Sequence, residues 1–262
     1  MVPVACLRDN YSYLVYRSDG DGQCLIVDAS EASPVAREVT KRGLVPCAIL
    51  TTHHHHDHVG GNVEISRVYS IPIYGHERER HRIPGMTHGV EHQQQLTVGE
   101  FSIRTLHAPG HTQSGVCYDL GEVCFTGDTL FCGGCGRLLE GTASQLHHSL
   151  THVLRALPDE TQVYVGHEYS EANLRFAVSI LPNEAILDRF NDVVAARNEG
   201  RFCASASLSV ERGTNLFLNC HRPEVQQAVL GESWAEHRRA LLDAALELLT
   251  FTELRRLKDQ AR

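Results

Sequence analysis

The first half of the chain alternates short apolar runs with Gly, Pro and Asp punctuation. Tyr13-Leu14-Val15-Tyr16 and Cys24-Leu25-Ile26-Val27 read as two strands of a hairpin, joined through the turn-rich Ser18-Asp19-Gly20-Asp21-Gly22. Pro34 to Arg42 reads as a helix, with Ser33 as its cap, Pro34 at its first position and Gly43 as its stop. Ala48-Ile49-Leu50-Thr51-Thr52 follows as a buried strand, and further strands are expected at Ser102–His107, Glu122–Thr126 and Gln162–Val165. After about Ser170 the apolar spacing turns helical, in Glu171–Leu181, Glu184–Asn198 and Ser233–Leu257, with a shorter helix starting at Pro223. The pattern therefore predicts a strand-rich domain over residues 1–170 and a helical one over 171–262.

Composition narrows the class of protein. At 262 residues the chain suffices for one large domain with an appendage. No apolar run approaches the roughly 20 residues that cross a bilayer, so no membrane partner is expected. The N-terminus shows no basic segment followed by an apolar stretch, and the expected location is the cytoplasm. An odd count of nine cysteines fits reduced thiols in that setting. A net charge of −8 with scattered Lys and Arg excludes the basic footprint of a nucleic-acid binder. Nothing in the pattern calls for an oligomer, and a monomer is expected.

Seventeen histidines stand out, and their positions carry the chemistry. Thr51-Thr52-His53-His54-His55-His56-Asp57-His58 directly follows an expected strand, which puts it on a loop at the strand's C-terminal end. Residues two apart on extended backbone point the same way, so His53 and His55 can converge on one metal while Asp57 and His58 turn toward a second. His54 and His56 fall on the alternate positions and are not expected as ligands. Three more expected strands end in Gly110-His111, Gly127-Asp128 and Gly166-His167. Each sets a ligand-type residue beside a glycine that lets backbone crowd a site. Imidazole and carboxylate donors suit zinc, and also iron or manganese.

The set His53-x-His55-x-Asp57-His58, His111, Asp128 and His167 resembles the metallo-β-lactamase superfamily. That resemblance implies an α+β fold, a four-layer αββα sandwich followed here by an all-helical C-terminal domain. It implies two divalent ions, with zinc expected: His53, His55 and His111 on one, Asp57, His58 and His167 on the other, and Asp128 bridging. A water shared by two such ions roughly 3.5–4 Å apart has its pKa lowered from about 15.7 to roughly 7, which supplies hydroxide at neutral pH. Asp57 and Asp128 are the catalytic carboxylates in that scheme.

Phe125-Thr126-Gly127-Asp128-Thr129-Leu130-Phe131-Cys132-Gly133-Gly134-Cys135-Gly136-Arg137 resembles glyoxalase II, the hydroxyacylglutathione hydrolases. So do Tyr164-Val165-Gly166-His167-Glu168-Tyr169, Asp9-Asn10-Tyr11, Thr214-Asn215-Leu216-Phe217-Leu218 and Lys258-Asp259-Gln260. The resemblance implies hydrolysis of S-(2-hydroxyacyl)glutathione, a small thioester, with Arg137 at the glycyl end of the peptide and Tyr169 beside His167. One position departs from the family pattern. Asn219 stands where an Arg would bind the substrate carboxylate, and Arg222-Pro223 replaces the basic residue that follows. Asn cannot make the bidentate charged contact, a loss on the order of 1.5–3 kcal/mol. Arg222 or Arg137 would then compensate, or the thiol carrier differs from glutathione. Alternatives on the same fold are a hydrolase of another thioester or a lactone, and a persulfide dioxygenase with fewer ligands on one iron. Cys132-Gly-Gly-Cys135 lacks the second pair a structural zinc needs and sits in a loop, so neighbouring inert thiols are expected.

Overall fold

The computed structural model describes residues 1–261. Among them, Val2–Cys6 (β1), Asn10–Tyr16 (β2), Gln23–Val27 (β3), Val45–Leu50 (β4), Ile73–His76 (β5) and His88–Val90 (β6) form one sheet in that order. The first three strands pair antiparallel and the rest parallel. The second sheet takes Gln95–Val98 (β7), Phe101–His107 (β8), Val116–Asp119 (β9) and Val123–Gly127 (β10). A ribbon of Leu130–Phe131 (β11) and Gly134–Cys135 (β12) follows, and then Gln162–Val165 (β13) and Ser205–Ser207 (β14) complete the second sheet beside β10.

Alternation along β2, β3 and β4 decides which residues meet. Tyr13, Val15, Leu25, Val27, Ala48 and Leu50 face the second sheet and pack on Ile103, Val116, Tyr118 and Phe125. Leu14, Ile26 and Ile49 point the other way, onto Val35 and Val39 of Ala32–Arg42 (α1). Beyond the short turn His56–Val59 (α2), Ile65 of Asn62–Tyr69 (α3) joins that layer. Strands buried on both faces read as continuous apolar runs. Burying each such side chain contributes about 1.5–3 kcal/mol.

The outer face of the second sheet is covered by Ala143–His148 (α4), whose axis continues through the π-turns of Ser149–Leu154, and by the helices that follow. These are Ser170–Ile180 (α5), Glu184–Asn198 (α6), Leu208–Thr214 (α7), Pro223–Leu230 (α8), Trp234–Ala240 (α9) and Asp243–Gln260 (α10). Phe176, Phe217 and Phe251 from this segment share one core with Leu106, Cys117 and Val163 of the sheet. The layers are thus helix, sheet, sheet, helix. The helical segment is not wholly helical, because β14 closes the edge of the second sheet against β13.

Two expected elements differ. Helix α1 starts at Ala32, with Glu31 in the cap position and Gly43 in left-handed backbone at its end. Pro34 therefore lies within the first turn, where a missing N–H would have no intrahelical partner anyway. Ser33 accepts a hydrogen bond from Arg37 Nη1 at 2.7 Å instead of capping. The long run Ser233–Leu257 is two helices, parted by extended backbone at Leu241 and Leu242.

Candidate metal centre

Four strand ends converge at one edge of the sandwich. β4 leads into Thr51-Thr52 and the histidine loop, β8 into His111, β10 into Asp128 and β13 into His167. Asp57 and His58 lie on α2, so the short turn rather than strand alternation swings them away from His53 and His55. Gly166 is required by the crowding: a Cβ there would lie 2.3 Å from Asp128 Oδ1 and 2.7 Å from His58 Cε1.

The candidate donor atoms of these residues face one another at close range. His55 Nδ1 stands 3.1 Å from both His53 Nε2 and His111 Nε2. His167 Nε2 is 3.3 Å from His58 Nε2 and from Asp57 Oδ2. Asp128 reaches both groups, with Oδ1 3.3 Å from His58 Nε2 and Oδ2 3.3 Å from His167 Nε2 and 3.5 Å from His111 Nε2. Donors on a tetrahedral ion at about 2.0–2.1 Å stand about 3.3 Å apart, which is the spacing found. Asp128 Oδ1 is buried and has no hydrogen-bond partner among the described residues, as a ligand oxygen would be. The donors fall into His53, His55 and His111 on one side and Asp57, His58 and His167 on the other. The residues present fit two divalent cations.

Outer partners set the ring orientations. Asp28, in left-handed backbone at the end of β3, accepts from Thr52 N and Thr52 Oγ1 at 2.7 Å each. Its Oδ2 also lies 2.9 Å from His58 Nδ1. Asp9 Oδ1 stands 2.9 Å from His167 Nδ1, and the Arg137 carbonyl 2.9 Å from His111 Nδ1. Thr52 Oγ1 is 3.1 Å from His53 Nδ1. With the outer nitrogen occupied, the inner one presents its lone pair. Asn10 Nδ2 donates to Asp57 Oδ2 at 3.0 Å.

Electrostatics sort the donors. Burial, with His111 and His54 nearby, pushes the His55 imidazole down to about 4, and burial holds His53 well below its usual range. Both are neutral imidazoles at pH 7. His167 behaves oppposite: burial lowers it, but Asp128 and Asp57 outweigh that and raise it to about 10. Asp128 is held far below the carboxylate range, because His58 and His167 outweigh its burial. Cations held on this side would displace protons from His58 and His167.

The centre opens into a cleft of about 860 Å³. Tyr169 stacks flat on His167, ring centroids 4.7 Å apart at 4°. Burial lifts its phenol to about 12, so it stays a donor. Arg137, Asn173, Arg255, Lys258 and Asp259 also line the cleft, together with Leu138 and Leu139. Lys258 is pushed down to about 8 by burial and by Arg255.

Residues 7–167 match the family model described as the metallo-beta-lactamase superfamily, and residues 168–261 match the hydroxyacylglutathione hydrolase C-terminus. A hydroxyacylglutathione hydrolase of Methylococcus capsulatus is 41% identical over 99% of this chain and 97% of its own. One from Xanthomonas euvesicatoria is 39% identical over 100% of this chain and 99% of its own. The chain belongs to the hydroxyacylglutathione hydrolase family. Among solved structures it is similar to the BLEG-1 B3 metallo-beta-lactamase, with a TM-score of 0.65 and 25% identity over 83% of this chain and 98% of that one. ETHE1 from Myxococcus xanthus gives 0.63 and 25% over 97% of this chain and 100% of that one.

Within this hydroxyacylglutathione hydrolase framework, two expected substrate contacts are displaced. Asn219 is buried, and its Nδ2 donates to Arg212 O and Asn215 O at 2.8 Å each. Arg222 donates to Arg212 O and heads α8. Neither lines the cleft. The reason is the 3-10 turn Leu216–Leu218, which is buried and draws the following residues into the core. Cationic groups reach the cleft from α10 instead, as Arg255 and Lys258. The sequence signal was Lys258-Asp259, matched to the family without a role. Asp28 carried no motif signal beyond being an acid at a strand end. His54 makes contacts at 2.9 Å with Glu79 and 3.1 Å with Glu140, and His56 is exposed at the cleft. Cys132 and Cys135 are buried free thiols in the ribbon, and burial raises Cys135 to about 11, which suits a packing role.

Proposed function

We propose that this chain hydrolyses S-(2-hydroxyacyl)glutathione thioesters, such as S-D-lactoylglutathione, to glutathione and a 2-hydroxy acid, the hydrolytic step of methylglyoxal detoxification. The observation that carries the reading is a seven-donor centre opening directly onto a cleft with a cationic wall. Glutathione offers a pair of carboxylates and an ammonium, and Arg137 and Lys258 supply cationic partners for the carboxylates, while Arg255 is held by the Cys135 carbonyl and Asp259. His53, His55 and His111 would hold one ion and Asp57, His58 and His167 the other, with Asp128 between them. Zinc is the ion we assign, and iron is a fitting substitute, since the related TTHA1623 was solved in a di-iron-bound form at 26% identity and a TM-score of 0.58, covering 83% of this chain and 98% of that one.

When bound, such ions acidify water to a pKa of roughly 7 and polarise the thioester carbonyl. The chain's own groups do the rest. Asp57, 38% exposed and steadied by Asn10, stays ionised and orients the attacking water as a hydrogen-bond acceptor. The Tyr169 phenol donates to the substrate beside the reacting carbonyl. Arg137 and Lys258 anchor the carrier, and the distance between that wall and the centre fixes the thioester over the donors. The leaving thiol, with an ordinary pKa of about 8.5, departs with little proton assistance. All these groups come from a single chain, which supports action as a monomer. No described helix is long and apolar enough to cross a membrane, and we place the enzyme in the cytoplasm.

The test is steady-state hydrolysis of S-D-lactoylglutathione by the full, metal-loaded chain, with Asp57→Ala as control. Turnover that the substitution abolishes supports the reading. Two bound metal equivalents without turnover would sink glutathione as the carrier.

A further inference from the structure

The helical segment does more at the metal centre than wall the cleft. After Asp128 the chain runs through the β11–β12 ribbon before reaching Arg137. That ribbon has only the pairs Leu130–Cys135 and Phe131–Gly134, too few to hold its own register. Side chains from beyond Ser170 meet its peptide groups instead. Asn215 Nδ2 donates to Phe131 O at 3.2 Å and Gly134 O at 3.0 Å. Glu211 Oε2 accepts from Gly133 N at 3.0 Å and from Asn215 Nδ2 at 2.9 Å. Arg189 closes the set by donating to the other Glu211 oxygen and to Thr214 Oγ1. Glu211 and Asn215 have no exposed surface.

Both ends of the ribbon are tied to ligands. Gly136 lies so close to Asp128 that a Cβ would stand 2.0 Å from the Asp128 carbonyl. One residue on, the Arg137 carbonyl orients His111 at 2.9 Å. A ribbon slipping by a fraction of an ångström therefore shifts Asp128, His111 and Arg137 together. A buried Arg–Glu pair is a poor device for stability alone, since apolar side chains of similar volume often do as well or better. What apolar side chains cannot do is fix the register of peptide groups.

We propose that Asn215 and Glu211, braced by Arg189, are positioning residues of the metal centre, holding the ribbon so that Asp128 and His111 keep their places. The proposal rests on the seven-donor reading of the centre. It gives the Asn-x-Phe-Leu stretch, which begins at Asn215, a role that substrate contact does not supply.

The experiment compares the full chain loaded with zinc as wild type, Asn215→Ala, Asn215→Asp and Gln226→Ala. Gln226 is buried in α8, and its Nε2 donates to Cys220 O, away from the ribbon. Three quantities are read: release of zinc to a chromogenic chelator, kcat against KM, and hydrogen exchange of the Gly133 and Gly136 amides. Outer-sphere substitutions cost on the order of 10–100-fold in metal affinity or activity, so each Asn215 variant should release zinc at least about tenfold faster. The expected kinetic result is a fall in kcat exceeding the change in KM. Gln226→Ala should lower the melting temperature while releasing zinc at the wild-type rate. Asn215→Asp keeps the side-chain volume, so it carries the comparison should Asn215→Ala not fold. Wild-type zinc release in the Asn215 variants, or equal loss in Gln226→Ala, overturns the proposal. So does rapid exchange of the Gly133 amide in the wild type. Failure of the wild type to bind two equivalents would instead overturn the centre itself, and the proposal with it.

Discussion

Replacing Asp28 by Asn should empty one half of the metal centre while leaving the fold in place. Asn is tolerated in left-handed backbone, so the φ of 51° at this position is no obstacle. The new amide can keep its oxygen toward Thr52 N, as Oδ1 now accepts at 2.7 Å. Its nitrogen then faces Thr52 Oγ1 and, 2.9 Å away, His58 Nδ1. Two donors cannot share that contact, so His58 must turn its proton to Nε2. That is the nitrogen 3.3 Å from both Asp128 and His167, where the cation's ligand lone pair is needed. Loss of a hydrogen bond to a charged group costs about 1.5–3 kcal/mol, or about 10–150-fold in affinity. Competition with a chelator of known affinity, combined with metal counting, should show one of the two ions weakened by that factor and kcat falling with it. Affinities within twofold of wild type for both ions would refute the tautomer argument.

Other outcomes follow from the cleft and its supports. Lys258→Ala should raise KM about tenfold or more with a smaller change in kcat, as loss of a charged contact to a carboxylate requires. In the wild type the ammonium is charged below about 8 and loses its charge as pH rises through that value, so kcat/KM should fall on the alkaline side through KM. Lys258→Arg, charged at every accessible pH, should remove that limb; an unchanged profile would detach Lys258 from the substrate. Asn219→Ala should lower stability in urea by about 1–3 kcal/mol through loss of the two buried amide hydrogen bonds to the Arg212 and Asn215 carbonyls while leaving KM within twofold. A raised KM there would return Asn219 to the substrate. Gly166→Ala should abolish two-metal binding, since its methyl would overlap Asp128 Oδ1; metal counting of the folded variant checks it.

Much of this protein is written in local pattern. Short apolar runs at Tyr13–Tyr16 and Cys24–Val27, parted by the turn-rich Ser18-Asp19-Gly20-Asp21-Gly22, mark a hairpin, and both strands lie where that local pattern puts them. The histidine loop is equally local, since its ligands sit within six residues of one another and only the chain's own geometry aligns them. His111, Asp128 and His167 could be named because each follows a strand and stands beside a glycine. The bringing together of those strand ends is a matter of topology: β13 lies beside β10, and β4 beside β3, through crossovers that no short window contains. The partners of the ligands are less legible still. Asp28 meets His58 across 30 positions and Asp9 meets His167 across 158, contacts with no spacing rule behind them. For the same reason a substrate contact was expected at Asn219, next to a conspicuous motif, whereas the cationic side chains that line the cleft from the helical segment are Arg255 and Lys258 of α10. Periodicity and spacing report which residues can act together along the chain; which side chains meet across it depends on how the sheets and helices pack, and that only the folded structure decides.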